Sequence, residues 1–234
     1  NVTKLLYSSS ACIYNTDLQK ETFVHGLKEE QAYPANPEDG YGWEKLFSER
    51  MCRHFLEDYG LDAKVARYHN IYGPNGTYDG GREKAPAALC RKVISANQKN
   101  SDTIDVWGDG KQTRSFLFID DCVEATLQFF NSDHHGPINI GSEEKVSINE
   151  MIEKIEKISS KEFKKNYQLD KPKGVRGRNS NNDLIRKLTL EGNTDQKLLE
   201  FEENPPESTT KKIESLSHSR NPELASLMKI RNNH

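Results

Sequence analysis

Short apolar runs alternate with longer amphipathic stretches along most of this chain. That alternation restricts it to an α/β architecture with parallel strands, because two parallel neighbours must be joined by a crossover, usually a helix. Residues 3–9 read as a short buried strand ending in a serine cluster. After a long loop, a helix begins at about residue 37 or 38 and ends at 59. Tyr41, Lys45, Phe47, Met51, Cys52, Phe55 and Leu56 fit its 3.6-residue period, and Gly60 suits its C-cap. Residues 63–67 form the next strand, with a polar turn over 69–74 at its carboxyl end. The pattern then gives a helix over 85–96 opened by Pro86, a strand over 103–106 and a turn at Gly108-Asp109-Gly110. A strand over 116–119 follows, with Asp120 and Asp121 capping a helix to about 130. A strand over 137–140 and a helix capped by Ser147 and running to about 159 complete it.

Composition narrows the function classes. The 234 residues suffice for one large domain, or one domain with a small lobe. A formal charge of −3 argues against a nucleic-acid binder. No apolar run approaches the length of a membrane span, and no leader pattern reads as a secretion signal. Cys12, Cys52, Cys90 and Cys122 have no close spacing, so neither a zinc site nor any other metal site is expected. Reduced thiols and a cytoplasmic setting are the default reading. The adjacent His134 and His135 read as a solvated loop. From Thr189 onward only 11 of 46 residues are apolar, against 34% for the whole chain. This segment is expected to be a divergent, mostly disordered tail with one short helix near 222–230.

The chemistry concentrates in a few places. Tyr41 and Lys45 are four apart, on one helix face. An ammonium near a phenol favours the phenolate, giving a base for a sugar or alcohol hydroxyl near neutral pH. Ser10 and Cys12 are two apart, so in an extended segment they point the same way. Ser10 can then reach the oxygen of a substrate carbon while Cys12 reaches its neighbour. The serine cluster and the polar turn over 69–74 both lie at strand carboxyl ends, where ligands of open α/β sheets bind, so they belong to one crevice.

The order Ser8-Ser9-Ser10-Ala11-Cys12, Tyr41-x-x-x-Lys45, His69-Asn70-Ile71-Tyr72-Gly73-Pro74 resembles the extended short-chain dehydrogenase/reductase family of NAD-dependent epimerases and dehydratases. Within it, three further runs are similar to plant-type 3,5-epimerases of GDP-hexoses. They are Gly80-Gly81-Arg82-Glu83-Lys84-Ala85-Pro86, Trp107-Gly108-Asp109-Gly110 with Gln112-Thr113-Arg114, and Gly174-Val175-Arg176-Gly177-Arg178. The resemblance covers about residues 1–188. It implies a partial Rossmann-like doubly wound parallel sheet over 1–143 and part of a substrate-binding lobe over 144–188. The implied reaction converts GDP-mannose to GDP-L-galactose with NAD, by oxidation at C4, epimerisation at C3 and C5, and re-reduction. Tyr41 would be the C4 base, and Lys45 would also hold the nicotinamide ribose. Cys12 and Lys84 would be the acid–base pair that inverts the two carbons. Ser10, Ala11, Asn70, Glu83, Ala85, Lys92, Gln112, Thr113, Arg114 and Arg176 would bind substrate, the arginines gripping the diphosphate. A homodimer is a further implication.

Two departures qualify that reading. No Gly-rich dinucleotide turn occurs in the chain, and the strand-like run at its start reads as the middle of a longer protein. About 100–150 residues, the first mononucleotide-binding half, are expected to be absent. The strand over 3–9 would then be an unpaired edge. Two hypotheses stand: part of a working epimerase, or a truncated and inactive relative acting at most as a binding or interaction protein. The polypeptide alone is expected to turn over no GDP-mannose. A nucleotide-sugar enzyme of changed specificity is a narrower alternative, against which the Cys12/Lys84 pair argues.

Overall fold

The computed structural model describes residues 2–171 and 174–191. Its elements are β1 (Lys4–Ser10), α1 (Gly40–Tyr59), β2 (Asp62–Tyr68), β3 (Ile71–Tyr72), α2 (Ala85–Gln98), β4 (Thr103–Trp107), β5 (Thr113–Ser115), β6 (Leu117–Phe118), α3 (Ile119–Asn131), β7 (Pro137–Ile140), β8 (Lys145–Ser147), α4 (Ile148–Ser159), β9 (Lys164–Gln168), β10 (Gly177–Arg178) and α5 (Asp183–Glu191). Of the expected tail, residues 189–191 end α5; the remainder, with the helix near 222–230, lies outside the described residues. Two compact units interleave in sequence. The described residues of the first are 2–71, 115–145 and 174–191; those of the second are 72–114 and 146–171.

The first unit is built on a parallel sheet of order β1-β2-β7, with Tyr7 opposite Val65 and Arg67 opposite Asn139. Strand β2 is buried along nearly its whole length, as a central parallel strand covered on both faces should be. Its odd positions Ala63 and Val65 pack with Cys52 of α1. Ala66 joins Ile138 and Ile140 of β7, Phe129 of α3 and Ile185 of α5 on the other face. Strand β1 pairs only with β2 among the described residues, so its far side is a free edge.

Helix α1 starts two to three residues later than its period suggests, because Asp39 accepts the Gly42 N–H at 3.0 Å as an N-cap. It ends at Gly60, whose φ of 68° is the left-handed C-cap. Its buried positions are Gly42, Leu46, Glu49 and Cys52, not the apolar stripe. Trp43, Phe47, Met51, Phe55 and Tyr59, at successive i+4 steps, are 40–76% exposed. The inward face is set by what it meets: Gly42 fits against Cys12 in the turn after β1, and Glu49 meets Arg67 of β2.

In the second unit, β4 and β9 pair in parallel, with Thr103 opposite Lys164. Helix α2 packs on β4 and on α4. Ser147 and Glu150 form the capping box of α4, the Ser147 Oγ accepting from the Glu150 N–H at 3.1 Å.

Several local expectations need correction. The strand expected over 116–119 is two short pieces, β5 and β6, and Ile119 already belongs to α3. Asp120 and Asp121 do not cap that helix; Phe118 holds the cap position, and the acids lie in the first turn, where they favour the helix dipole. Strand β9 and helix α5 were not anticipated. Among the described residues no helix is long and apolar enough to cross a membrane.

Candidate active site

Strand β1 delivers the first cluster. It ends at Ser10, and the chain then makes a single 3₁₀ turn over Ala11–Ile13, with Ser10 Oγ accepting the Cys12 N–H at 3.2 Å. Cys12 is therefore on a turn, and the alternation expected of an extended Ser10-Ala11-Cys12 does not apply. Ser10 keeps its hydroxyl proton to donate. Ala11 packs with Ile13, Tyr14 and Leu46 in a core cluster, so only its backbone remains for a ligand.

The head of α1 sits directly on this turn. A Cβ on Gly42 would run into the Cys12 carbonyl and the Pro37 side chain, so glycine is what allows Tyr41 and Cys12 to lie on touching segments. Lys45 Nζ donates to the Ser8 carbonyl at 3.1 Å. It also lies 5.1 Å from the Tyr7 ring centroid and 5.6 Å from that of Tyr41. The lysine thus ties the carboxyl end of β1 to the tyrosine one turn away. Tyr41 is half-exposed, and its hydroxyl makes no hydrogen bond among the described residues.

Cys12 is partly exposed, and its sulfur accepts from Arg178 Nη1 at 3.4 Å. Arg178 is buried and fixed through Nε to Gln19 Oε1. Its Nη2 is also buried and has no hydrogen-bond partner; Glu38 Oε2 stands 3.7 Å away.

Beneath these groups runs a buried polar chain. Ser9 Oγ donates to Glu49, which accepts from Arg67, and Arg67 Nη1 donates to Tyr14 Oη at 3.2 Å. Tyr14 and His69 Nε2 both donate to Asn139 Oδ1, His69 at 3.0 Å. Burial raises the Tyr14 phenol well above its ordinary range and pushes the His69 imidazole down to about 3. Both are neutral structural groups.

The second unit holds a cavity of about 270 Å³. Trp107, Lys92, Gln112, Arg114 and Ala85 are among its walls. Lys92 Nζ donates to the Asp105 carbonyl at 2.8 Å and lies 5.6 Å from the Trp107 ring centroid. Burial holds its ammonium below the usual lysine range. Gln112 donates from Nε2 to the Trp107 carbonyl at 2.9 Å, and its buried Oε1 has no partner. Glu83 is engaged within its own loop: it accepts from the Gly81 N–H at 2.7 Å and from Arg91 Nη2 at 3.1 Å. Hydrogen bonds from its own and the Gly81 backbone N–H, with Arg91, keep its carboxyl below the usual range. Lys84, at the N-cap of α2, is exposed, and its ammonium makes no cap bond.

The chain is similar to known proteins. Residues 1–141 match the NAD dependent epimerase/dehydratase family. The chain belongs to that family. GDP-mannose 3,5-epimerase of Arabidopsis thaliana is 50% identical over 185 residues, covering 79% of this chain and 48% of that protein. GDP-mannose 3,5-epimerase 1 of Oryza sativa subsp. indica is 52% identical over the same length, covering 79% and 47%. The chain thus spans about half the length of the curated relatives it matches. Among solved structures, UDP-glucose 4-epimerase of Thermotoga maritima, with UDP-glucose, superposes with a TM-score of 0.73 at 21% identity, covering 92% of this chain and 62% of that one. UDP-glucuronic acid 4-epimerase of Bacillus cereus, in complex with UDP-glucuronic acid and NAD, gives 0.68 at 24% identity, covering 97% and 62%. These likenesses confirm the Rossmann-like fold of the epimerase/dehydratase family.

Within this family member, one unit carries Ser10, Cys12, Tyr41, Lys45, Asn70 and Arg176; the other carries Glu83, Lys84, Ala85, Lys92, Gln112, Thr113 and Arg114. Asn70 lies in the left-handed region (φ 47°) and donates to the Ser115 carbonyl at 3.0 Å, so its amide anchors a strand end. Arg178 is the residue that sequence reasoning missed. It is two positions from Arg176 in the same Gly-Val-Arg-Gly-Arg run, and nothing in the run distinguishes the two. Lys45 and Tyr41 fit the nicotinamide-ribose end of NAD, with donors and a hydroxyl open to a ligand, while no G-x-G-x-x-G turn occurs in the sequence.

Proposed function

We propose that this chain supplies the substrate-converting residues of a nucleotide-sugar epimerase that turns GDP-mannose into GDP-L-galactose. The reading is carried by 50% identity over 185 residues to a GDP-mannose 3,5-epimerase, in a chain whose Tyr41–Lys45 pair sits against the Cys12 turn. Tyr41 takes the proton of the sugar 4-hydroxyl, with the Lys45 charge fixed beside its ring and Ser10 donating to the same oxygen. NAD, when bound, accepts the C4 hydride and later returns it. The resulting ketone acidifies the hydrogens at C3 and C5, and Cys12 and Lys84 remove and replace them. Arg178 holds the Cys12 sulfur. The cavity of the second unit takes the GDP moiety, Trp107 and Lys92 offering a stacking face and a cation, and Arg114 a guanidinium for the diphosphate.

The exposed Trp43-Phe47-Met51-Phe55-Tyr59 stripe, an apolar helix face of the kind that marks a protein interface, supports a homodimer. The four cysteines carry no disulfide, which suits a cytoplasmic protein. The test is incubation of GDP-mannose with the protein and NAD in deuterium oxide. GDP-L-galactose carrying solvent deuterium at C3 and C5 supports the reading. Binding of GDP-mannose without turnover supports an inactive, substrate-binding relative instead.

A further inference from the structure

We propose that Cys12 is a peroxide-sensitive modification site, at which the sulfur is oxidised reversibly to a sulfenic acid held by Arg178. The four thiols are not equivalent. Cys52, Cys90 and Cys122 are 5–8% exposed. Burial raises all three, Cys90 to about 11, which keeps them protonated and unreactive. Cys12 is partly exposed and has a guanidinium N–H aimed at its sulfur.

Arg178 gives the second, independent observation. Its Nη2 is buried with no hydrogen-bond partner: the Glu38 carboxylate it pairs with stands 3.7 Å away, too far for a hydrogen bond, and a buried donor left without one is costly. Nε is held by Gln19, so the guanidinium cannot turn away to find one. An oxygen attached to the Cys12 sulfur would sit on the atom that Nη1 already contacts, on the same guanidinium whose Nη2 lacks a close acceptor. The site is therefore built for an oxygenated sulfur as well as for a thiol.

The step is balanced. The thiolate sulfur attacks one oxygen of hydrogen peroxide, the S–O bond forms and the O–O bond breaks. Sulfur loses two electrons, and the departing hydroxide is protonated to water. No other cysteine bonds Cys12, and the remaining three are buried, so a small thiol such as glutathione reverses the oxidation: one thiol displaces water to form a mixed disulfide, and a second releases the Cys12 thiol and leaves as the small-molecule disulfide. If Cys12 is the proton carrier proposed above, oxidation removes the thiol that carries the proton and switches the epimerisation off. That consequence rests on the proposed function, whereas the modification itself does not.

The experiment treats the protein with hydrogen peroxide, traps sulfenic acid with dimedone and reads each cysteine peptide by mass spectrometry. No sugar or cofactor is present, so the result is independent of the epimerase reading. Cys12 is expected to label about tenfold more than each buried cysteine. Arg178→Gln should lower that labelling several-fold, with circular dichroism verifying the fold. Glu38→Gln, at a partly exposed position, removes the carboxylate nearest Nη2 and should raise labelling. Equal labelling of all four cysteines, or unchanged Cys12 labelling in a folded Arg178→Gln protein, would overturn the proposal.

Discussion

Arg67 closes on Glu49 from the adjacent strand, with Nη2 2.7 Å from Oε2 and Nε 3.0 Å from Oε1, and both side chains are nearly sealed from water. The pair fastens the middle of α1 to β2, and Ser9 adds the end of β1 through the same carboxylate. Removing one partner leaves a buried charge alone. Arg67→Met should lower stability by about 3–5 kcal/mol, read from urea denaturation, and adding Glu49→Leu should recover much of that loss. A single substitution that cost nothing would show the pair to be hydrated.

His69 makes the first unit sensitive to acid. In the folded chain its ring stays neutral down to about pH 3, whereas an unfolded histidine takes a proton near 6.5. Below pH 6.5 the unfolded state therefore binds the extra proton, and stability falls with pH until about 3. The physical cause is burial, with Nε2 donating to Asn139 and Nδ1 lacking any acceptor for a second proton. His69→Gln should flatten this part of the pH–stability curve, measured by thermal melts between pH 7 and 4.

Gly42 should tolerate no side chain. Gly42→Ala places a methyl group against the Cys12 carbonyl, with an expected loss of about 1–3 kcal/mol as the helix shifts away. Gly40, whose Cβ would meet nothing, is the control: Gly40→Ala should leave the melting temperature within a degree or two.

The proposed nucleotide cavity can be read by fluorescence. The chain has two tryptophans, so Trp43→Phe leaves Trp107 as the sole reporter. GDP should quench it, and Trp107→Ala should weaken GDP binding about tenfold, the order expected for the loss of one stacked base. Unchanged affinity would remove Trp107 from the site.

The exposed stripe of α1 predicts association. Phe47→Glu with Phe55→Glu should convert the proposed dimer into a monomer in sedimentation runs while helix content holds, because both side chains already face outward; a wild-type chain that sediments as a monomer would remove the interface.

How far the sequence could be read depends on whether a signal was local. Asp39 and Gly60 frame α1 with ordinary cap chemistry, and Ser147 with Glu150 does the same for α4, so these helices were legible. The facing of α1 was not. Its apolar stripe is genuine, but the side that meets the sheet is chosen by Glu49, whose partner lies 18 residues away on β2. Strand β9, Lys-Lys-Asn-Tyr-Gln, has no apolar alternation because its side chains are mostly outside the core. The site was legible where spacing alone fixes geometry, as for Tyr41 and Lys45. It failed at Cys12, where a tight turn replaces the strand, and at Arg178, which reaches Cys12 across 166 residues.

The Lys45 ammonium is anchored on the Ser8 carbonyl before any ligand arrives. Immobilising a free lysine side chain forfeits about 1.5–2 kcal/mol of rotamer entropy. Here much of that loss falls on folding, so in the proposed reaction a ligand hydroxyl would meet a cation that already has its orientation.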